Sequence, residues 1–546
     1  MKKKVSFWLL LILLFAAFLR LYRLDRLELF GDELDIGYHA YSLLKTGHDY
    51  YGQKLPFYIH SFSEWRAPLL MYATVPFVAV FGLNEWGIRL PPVFFSILNI
   101  FLLYHLVKIL TKNERLSLFS AFLLAVTPWH IHYSRVAFEA TFLLTLILGG
   151  TVAFLKKKWL SSTLLFTLSF YTYNTANIFV PLWILLLFLV TKQKIGKLFN
   201  IYYLIFIILL LPLIFVTIKG EGANRFKLIS IFNNPKTIDT IIFKRNTGVS
   251  SAKERIFHNK LTGWGKEFIS NYLISFSPQY LFLEGDPNPR HNPPGFGEFY
   301  WVLAPFLALG IFETLKDKNT LFKKIVFFWL ILTPIPSAMT VGGGNQATRL
   351  FLMLPPLIVL AAAGIIKFIG HSLFKNFIFY ILYFIFLFSW LHNYFVHYPK
   401  ENFKHWHYGY KEAFSWLKVK ENQYQRVIVN NNYEPALLRY LFWTGKNPVE
   451  FKRDFSGDQI NKEILPKFDG FNLGKVYFGE INDRDKLLWL RENLGNDDLY
   501  LAFQMDEVAG DWNWEKSPPE GIKVLKTVYN PWGEPLMYWI TKQNQK

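Results

Sequence analysis

The chain has 546 residues, 52% of them hydrophobic and 19% aromatic, carries a formal net charge of +19 and contains no cysteine. The missing thiols exclude disulfides, cysteine-ligated metals and a thiol nucleophile. The apolar residues recur in runs near the ~20 residues that cross ~30 Å of hydrocarbon, and Lys and Arg concentrate in the short loops between runs, which is the positive-inside pattern of a membrane protein and not a nucleic-acid surface.

Val5–Leu21 is the first apolar run. It follows Met1-Lys2-Lys3-Lys4 as a signal peptide would, but Arg20, Arg23 and Arg26 come after it in place of a small-residue cleavage site, so it is expected to stay as a first helix. Phe30-Gly31-Asp32-Glu33-Leu34 comes next. An acidic pair here serves either as the favourable N-terminus of a helix or as a general base at the membrane surface, where partial burial raises a carboxylate's proton affinity. Glu64 and Arg66 flank Trp65, and Arg66 is a candidate for holding a phosphate or anchoring at the interface.

Leu69–Phe81 is apolar enough to cross. If it crossed, Lys108, Lys112 and Arg115 would share a side with Asp32. If it lies in the interface, every basic loop falls inside, and that reading is adopted. Ten further spans are expected: Ile88–Leu110, Leu116–Thr127, Thr141–Leu155, Leu160–Tyr171, Ile178–Val190, Ile201–Ile218, Phe299–Phe312, Ile325–Thr333, Leu350–Ile366 and Phe377–Leu391. The fold class is then an α-helical polytopic membrane protein of about eleven spans. Residues 1–403 form the membrane domain, with outer loops 22–87 and 219–298.

The outer loops hold the chemically varied residues. His132, Tyr133, Ser134, Arg135 and Glu139 form one group, with Arg135 and Glu139 spaced for one helical face or an interfacial ion pair. Glu284-Gly285-Asp286-Pro287-Asn288-Pro289-Arg290-His291-Asn292 forms a second; Asp286, Arg290 and His291 are placed to contact a sugar or a phosphate, or simply build a surface turn. Glu-x-Asp there also raises a divalent metal as a cofactor, without fixing one. Gly342-Gly343-Gly344-Asn345-Gln346-Ala347-Thr348-Arg349 is the third, its glycines permitting close backbone approach and Arg349 either snorkelling or pairing with a phosphate.

Beyond about residue 404 charges of both signs appear with turn glycines. Strands are expected at Arg426–Asn430, Lys475–Phe478, Leu499–Gln504, Val524–Tyr529 and Met537–Thr541, the second limited by Gly474 and Gly479. Helices are expected at Lys411–Lys420 and Asp483–Glu492, giving a C-terminal extracytoplasmic α/β domain over 404–546.

Gly31-Asp32-Glu33, Arg66-Ala67-Pro68-Leu69-Leu70-Met71-Tyr72, Asn84-Glu85-Trp86-Gly87-Ile88-Arg89-Leu90-Pro91 and His132–Glu139, in this order, resemble the GT-C glycosyltransferases. The narrower resemblance is to the dolichyl-phosphate-mannose protein mannosyltransferase-like family, which includes the aminoarabinose transferases of lipid A. It implies a multi-pass enzyme of the cell membrane, working on the outer face with a polyprenyl-phosphate sugar donor. The acceptor hydroxyl would belong to a protein, lipid or glycan. It implies Asp32 as catalytic base with Glu33 beside it, Glu139 (often Asp in the family) as a second acid, and Arg349 as the phosphate-binding arginine. Arg135, Arg66 and Arg290 are further phosphate candidates, and Asp286, His291 and Tyr133 line the substrate. A transporter or flippase of a lipid-linked or anionic substrate is the competing class, disfavoured by charges gathered at one face and by the absence of paired halves.

Overall fold

The computed structural model describes residues 2–62, 65–193, 197–218, 224–248, 251–370, 373–455 and 462–543. Contacts gather the chain into two units. Met1–Leu24, Phe57–Leu70 and Arg89–Phe395 make the first; Asp25–Pro56, Met71–Ile88 and Val396–Lys546 make the second. Asp25–Pro56 and Met71–Ile88, expected in the outer loop of the membrane domain, group with the C-terminal residues because their polar atoms are spent there. Glu28 accepts from the backbone N–H of Gly409 (2.9 Å) and Lys411 (3.2 Å), and the Tyr38 hydroxyl donates to the Lys446 carbonyl (3.0 Å).

The first unit is helical. Each expected span overlaps a helix: Lys2–Leu21, Glu85–Thr111, Glu114–Val126, Glu139–Leu155, Trp159–Phe170, Ala176–Thr191, Lys197–Ile218, Ala304–Lys316, Thr320–Leu332, Leu354–Ile369 and Leu373–His392; the expected span Phe299–Phe312 is shifted, its α-helix starting only at Ala304. Among the described residues, four segments are long and apolar enough to cross unaided: Glu85–Thr111, Thr320–Ala338, Ala347–Ile369 and Phe374–Glu401. A fifth results if Pro128–Ser134 and Glu139–Leu155, bent by 111°, count as one broken span. Leu69–Phe81 is a 13-residue helix, of the same short apolar class as Trp159–Phe170 and Ala176–Thr191.

Two glycines allow the tightest helix pair. A Cβ on Gly310 would sit 1.7 Å from the Leu360 carbonyl oxygen, and one on Gly364 would sit 1.9 Å from that of Phe306. Ala304–Lys316 and Leu354–Ile369 thus approach backbone to backbone, the small-residue packing that replaces hydrophobic driving force in lipid. The first helix is fixed by Arg20, which is fully buried. Its guanidinium donates to Ser96 Oγ, to the Ala16 and Ala125 carbonyls (3.0 Å each), and meets His130 Nδ1 at 2.7 Å.

The stretch 219–298, expected as a loop, is largely helical where described: Asn224–Ile229, Pro235–Thr247, Ser251–Phe257 and Lys260–Ile274. Asn234 and Asn259 cap two of these helices through their side chains. Leu228, Phe243, Ile256, Phe257, Leu261 and Leu273 stay exposed on them, so alternation of apolar and polar residues there reflects amphipathic helices, not irregular chain.

Two short strands, β1 (Ile59–His60) and β2 (Trp65–Arg66), pair antiparallel in the first unit. The second unit carries a seven-stranded mixed sheet made of β3 (Arg426–Asn430), β4 (Lys462–Leu465), β5 (Phe468–Leu473), β6 (Val476–Ile481), β7 (Asp498–Phe503), β8 (Ile522–Tyr529) and β9 (Pro535–Lys542). Their order is β4-β5-β6-β3-β7-β9-β8, with β6, β3 and β7 parallel at the centre. All five expected strands are present, as are the helices Tyr410–Lys420 and Lys486–Asn493. The hairpin β4–β5 and the helices Leu437–Thr444 and Pro448–Asp454 are additional. Gly479 does not end its strand: β6 continues to Ile481. Gly479 lies opposite Gly470 of β5, where a Cβ on Gly470 would fall 2.0 Å from the Phe478 oxygen and one on Gly479 2.2 Å from the Asp469 oxygen. The glycine is there for close strand approach.

Candidate active site

In the first unit three segments meet. The Tyr133 hydroxyl, on Pro128–Ser134, hydrogen-bonds the Thr348 hydroxyl at 2.9 Å. The ring of Tyr133 lies 4.7 Å from that of Phe138 and 6.4 Å from that of His291. His132 lies beside it, its Nε2 2.7 Å from the Arg290 carbonyl and its Nδ1 3.1 Å from the Tyr394 hydroxyl. Residues 132–133, 290–291 and 348 are thereby brought together.

Asp286 is the hub of this cluster. It is 5% exposed. Its Oδ1 accepts from the Asn288 N–H (2.8 Å), an Asx turn set by Asp-Pro-Asn. Its Oδ2 accepts from the Ala347 N–H (2.8 Å) and lies 3.1 Å from His291 Nδ1. One carboxylate thus ties the Pro-rich turn to the segment carrying Arg349. Arg349 is half-buried, and its Nη1 donates to Thr340 Oγ1 at 2.5 Å. The preceding glycines do make close contacts: a Cβ on Gly343 would lie 1.8 Å from the Ser337 oxygen, and one on Gly344 2.9 Å from the Asn271 oxygen.

Glu298, which sequence reasoning passed over, completes the cluster. It is fully buried, and its Oε1 accepts from the Asp286 N–H at 3.1 Å. Burial, and then the neighbouring Asp286, push its carboxyl well above the usual range. The available signal was an acidic residue one position before the apolar run Phe299–Phe312.

Arg135 and Glu139 do not share a helical face. The helix ends at Ser134, Arg135 caps it, and a new helix starts at Glu139 after the 111° bend. The Arg135 guanidinium donates to the carbonyls of Leu19 (3.0 Å), Arg20 (2.7 Å) and Arg23 (2.9 Å), so it closes the C-terminal end of Lys2–Leu21. It also packs over the Phe395 ring at 4.9 Å. Arg66 sits in β2 and is 9% exposed. Glu64 lies outside the described residues.

In the second unit Asp32 and Glu33 occupy the first turn of the helix Gly31–Thr46. Asp32 is exposed; Glu33 is buried, its Oε2 3.4 Å from the Phe30 N–H. The favourable end of the helix macrodipole and a surface carboxylate are therefore both realised at one pair. Behind them, also unanticipated, lie Asp35 and His39 on the next turn. Tyr50 donates to Asp35 Oδ1 (2.6 Å), and its ring stacks on His39 at 3.8 Å. The i, i+4 spacing of Asp35 and His39 was readable as a signal. Glu28 is buried nearby in the chain; burial raises its carboxyl to about 7. Among the described residues no group of three or more His, Asp or Glu is arranged to hold a metal ion.

The fold and these clusters define a helical membrane protein with an attached mixed-sheet unit. Residues 65–217 match the family model for dolichyl-phosphate-mannose-protein mannosyltransferases, a segment that includes Arg66, Tyr133, Arg135 and Glu139. No curated protein matches the chain in sequence. Among solved structures the chain is similar to ArnT from Cupriavidus metallidurans bound to undecaprenyl phosphate, with 10% identity, 98% of each chain covered and a TM-score of 0.51. It is also similar to the same protein in the apo state, with 11% identity, 98% of each chain covered and a TM-score of 0.50. The fold is shared throughout, and the resemblance seen in the sequence motifs has a counterpart in both comparisons.

Proposed function

We propose that this chain is a membrane glycosyltransferase. It moves a monosaccharide from a polyprenyl-phosphate donor to an acceptor hydroxyl at the outer face of the membrane, with inversion. The observation that carries this reading is the likeness of fold over 98% of both chains to a protein crystallised with undecaprenyl phosphate; the family match over residues 65–217 supports it.

Asp32, exposed on a helix N-terminal turn, takes the proton of the acceptor hydroxyl. The acceptor oxygen bonds to the anomeric carbon from the face opposite the phosphate. The carbon–oxygen bond to the phosphate breaks, and the polyprenyl phosphate leaves with its electron pair. Glu33 fixes the turn that presents Asp32. Arg349, braced by Thr340, answers the charge that grows on the leaving phosphate; Arg290 and Arg66 are further cations for the headgroup. Arg135 acts through the first helix end it holds. Tyr133, Asp286 and His291 set the substrate-side wall, and Glu139 is a second acid. Nucleotide sugars are cytoplasmic, and the positive-inside loops put the acids on the other side, so a lipid-borne donor fits. Sidedness, donor sugar and acceptor belong to this proposal.

The test is mass spectrometry of membranes containing the chain, incubated with defined polyprenyl-phosphate sugars and cell-envelope acceptors. A product heavier by one sugar residue is expected. Substrate movement across the bilayer with no covalent product would overturn the reading in favour of a transporter.

A further inference from the structure

The second unit holds a cleft of about 530 Å³ at one end of its sheet. β3, β6 and β7 run parallel, and their carboxyl ends all reach this edge: Asn430 closes β3, Arg484 and Lys486 follow β6, and Asp506 and Glu507 follow β7. β3 leads through two helices and the hairpin β4–β5 to β6 on one side, whereas β6 leads through Lys486–Asn493 to β7 on the other. A reversal of direction at the carboxyl ends of parallel strands opens a crevice where α/β sheets take their ligands.

The lining has a specific chemistry. Trp512 is 36% exposed, and its ring is fixed by donation from Nε1 to the Ser517 carbonyl (2.8 Å). Trp514 stands edge-on to it, with centroids 6.4 Å apart. Trp514 is fully buried, and its indole N–H has no acceptor among the described residues. Glu507, 6% exposed, is oriented by the Phe503 N–H and the Tyr500 hydroxyl (2.6 Å each) and by Asn430. Asp506 accepts from Asn430 and Asn432 (2.6 Å each) and pairs with Lys486. Burial raises Glu507 to about 7, so Arg484 and Lys486 stand against Asp485, Asp506 and an acid that is part neutral. The walls are close to charge-balanced, with carboxylates at the strand ends that disfavour an anion. The turn after β3 is Asn430-Asn431-Asn432, with none of the glycines of a phosphate loop.

We propose that this cleft is a saccharide-binding site, in which a pyranose ring lies against Trp512 while its hydroxyls meet Asp506 and Glu507. An aromatic wall with a few oriented polar groups is how pockets fix a neutral polyhydroxylated ligand. The proposal stands independently of where, or whether, sugar transfer occurs elsewhere in the chain.

The test uses the full chain in a detergent without a sugar headgroup. Maltotriose, mannotriose and N-acetylchitotriose are titrated, followed by tryptophan fluorescence and by saturation-transfer NMR of the sugar protons. Saturable binding of at least one trisaccharide is expected, weakened tenfold or more by Trp512→Ala and unchanged by Trp532→Ala, which lies outside the cleft lining. Should Trp512→Ala prove unstable, Asp506→Asn is the second cleft variant; it leaves both indoles in place and is expected to weaken binding several-fold. No saturable response to any of the three sugars overturns the proposal. So does wild-type affinity in both cleft variants, or a response to inorganic phosphate alone.

Discussion

Asp32 and Glu28 are separated by one helical turn of sequence yet are set to opposite tasks by their surroundings. Asp32 is open to solvent and Glu28 is enclosed by backbone donors. For Asp32, Asp32→Asn keeps the size and the helix start but removes the base. Transfer measured as initial rate is expected to fall by ~10²–10⁴-fold, with expression and melting temperature retained; a rate equal to the parent's would reject the assignment. For Glu28, the consequence is in stability. Its folded-state carboxyl lies near 7 against an ordinary 4.5, because burial outweighs the N–H groups of Gly409 and Lys411 and the Lys411 charge, and Glu85 adds to it. The folded chain therefore binds more protons than the unfolded one between these values. The stabilisation is complete below about pH 4.5 and is lost as pH rises through 7, by ~3 kcal/mol. Glu507 carries a displacement of the same direction and size. The melting temperature should accordingly fall from pH 5 to 7.5, and Glu28→Gln should make that slope shallower, with Glu507 and Glu298 carrying the rest. An unchanged slope in the variant would show that Glu28 is not the titrating group.

Among elements, the first helix is the one whose anchoring carries most consequence. Arg135 spends its guanidinium on three carbonyls at the end of Lys2–Leu21, and bonds from a charged donor contribute about 1.5–3 kcal/mol each before non-additivity. Arg135→Met is expected to lower unfolding stability by ~2–4 kcal/mol, with Arg135→Lys recovering part. A variant with full stability but a raised KM for the donor would instead make Arg135 a phosphate ligand first. The Gly310–Gly364 crossing gives a second case. Gly364→Leu places side chain where the Phe306 carbonyl lies, and a loss of folded yield in membranes is expected, checked by fluorescence size-exclusion of the solubilised chain, while Gly342→Ala, with no atom within 4 Å, should be milder despite its positive φ. The helices of the membrane unit and five strands of the sheet were legible because their signals are local: long apolar runs, and short β-branched runs between turn residues. The hairpin β4–β5 was not, because Lys462-Glu463 and the glycine facing Gly479 look like loop when the partner strand is unknown. The helices Asn224–Ile229, Pro235–Thr247, Ser251–Phe257 and Lys260–Ile274 were hidden by the same limit, since their apolar faces have no sequence-local partner.

For the whole molecule, composition and charge gave the class of protein, and the order of motifs gave the resemblance that the comparisons then met. The site was only partly readable. Tyr133, the Asp286–His291 turn and Thr348 lie far apart in sequence, and they are joined by the Asp286 carboxylate on the Ala347 N–H and by the Tyr133–Thr348 hydroxyl pair. Glu298 and the Asp35–His39 pair were missed because each looks like ordinary polar punctuation until burial is known. The grouping of Asp25–Pro56 and Met71–Ile88 with the C-terminal residues was also outside reach, since it depends on contacts across several hundred positions. The central claim is that the acidic turn at Asp32 faces away from the cytosol, where only a lipid-borne sugar can meet it. The absence of cysteine makes that directly measurable. Asp32→Cys introduces a single thiol, and Lys157→Cys, in a basic loop, provides the opposite control. Treating intact cells with a membrane-impermeant maleimide should label Asp32→Cys and leave Lys157→Cys unlabelled until the cells are permeabilised. Labelling of Lys157→Cys in intact cells, with Asp32→Cys protected until permeabilisation, would contradict the account.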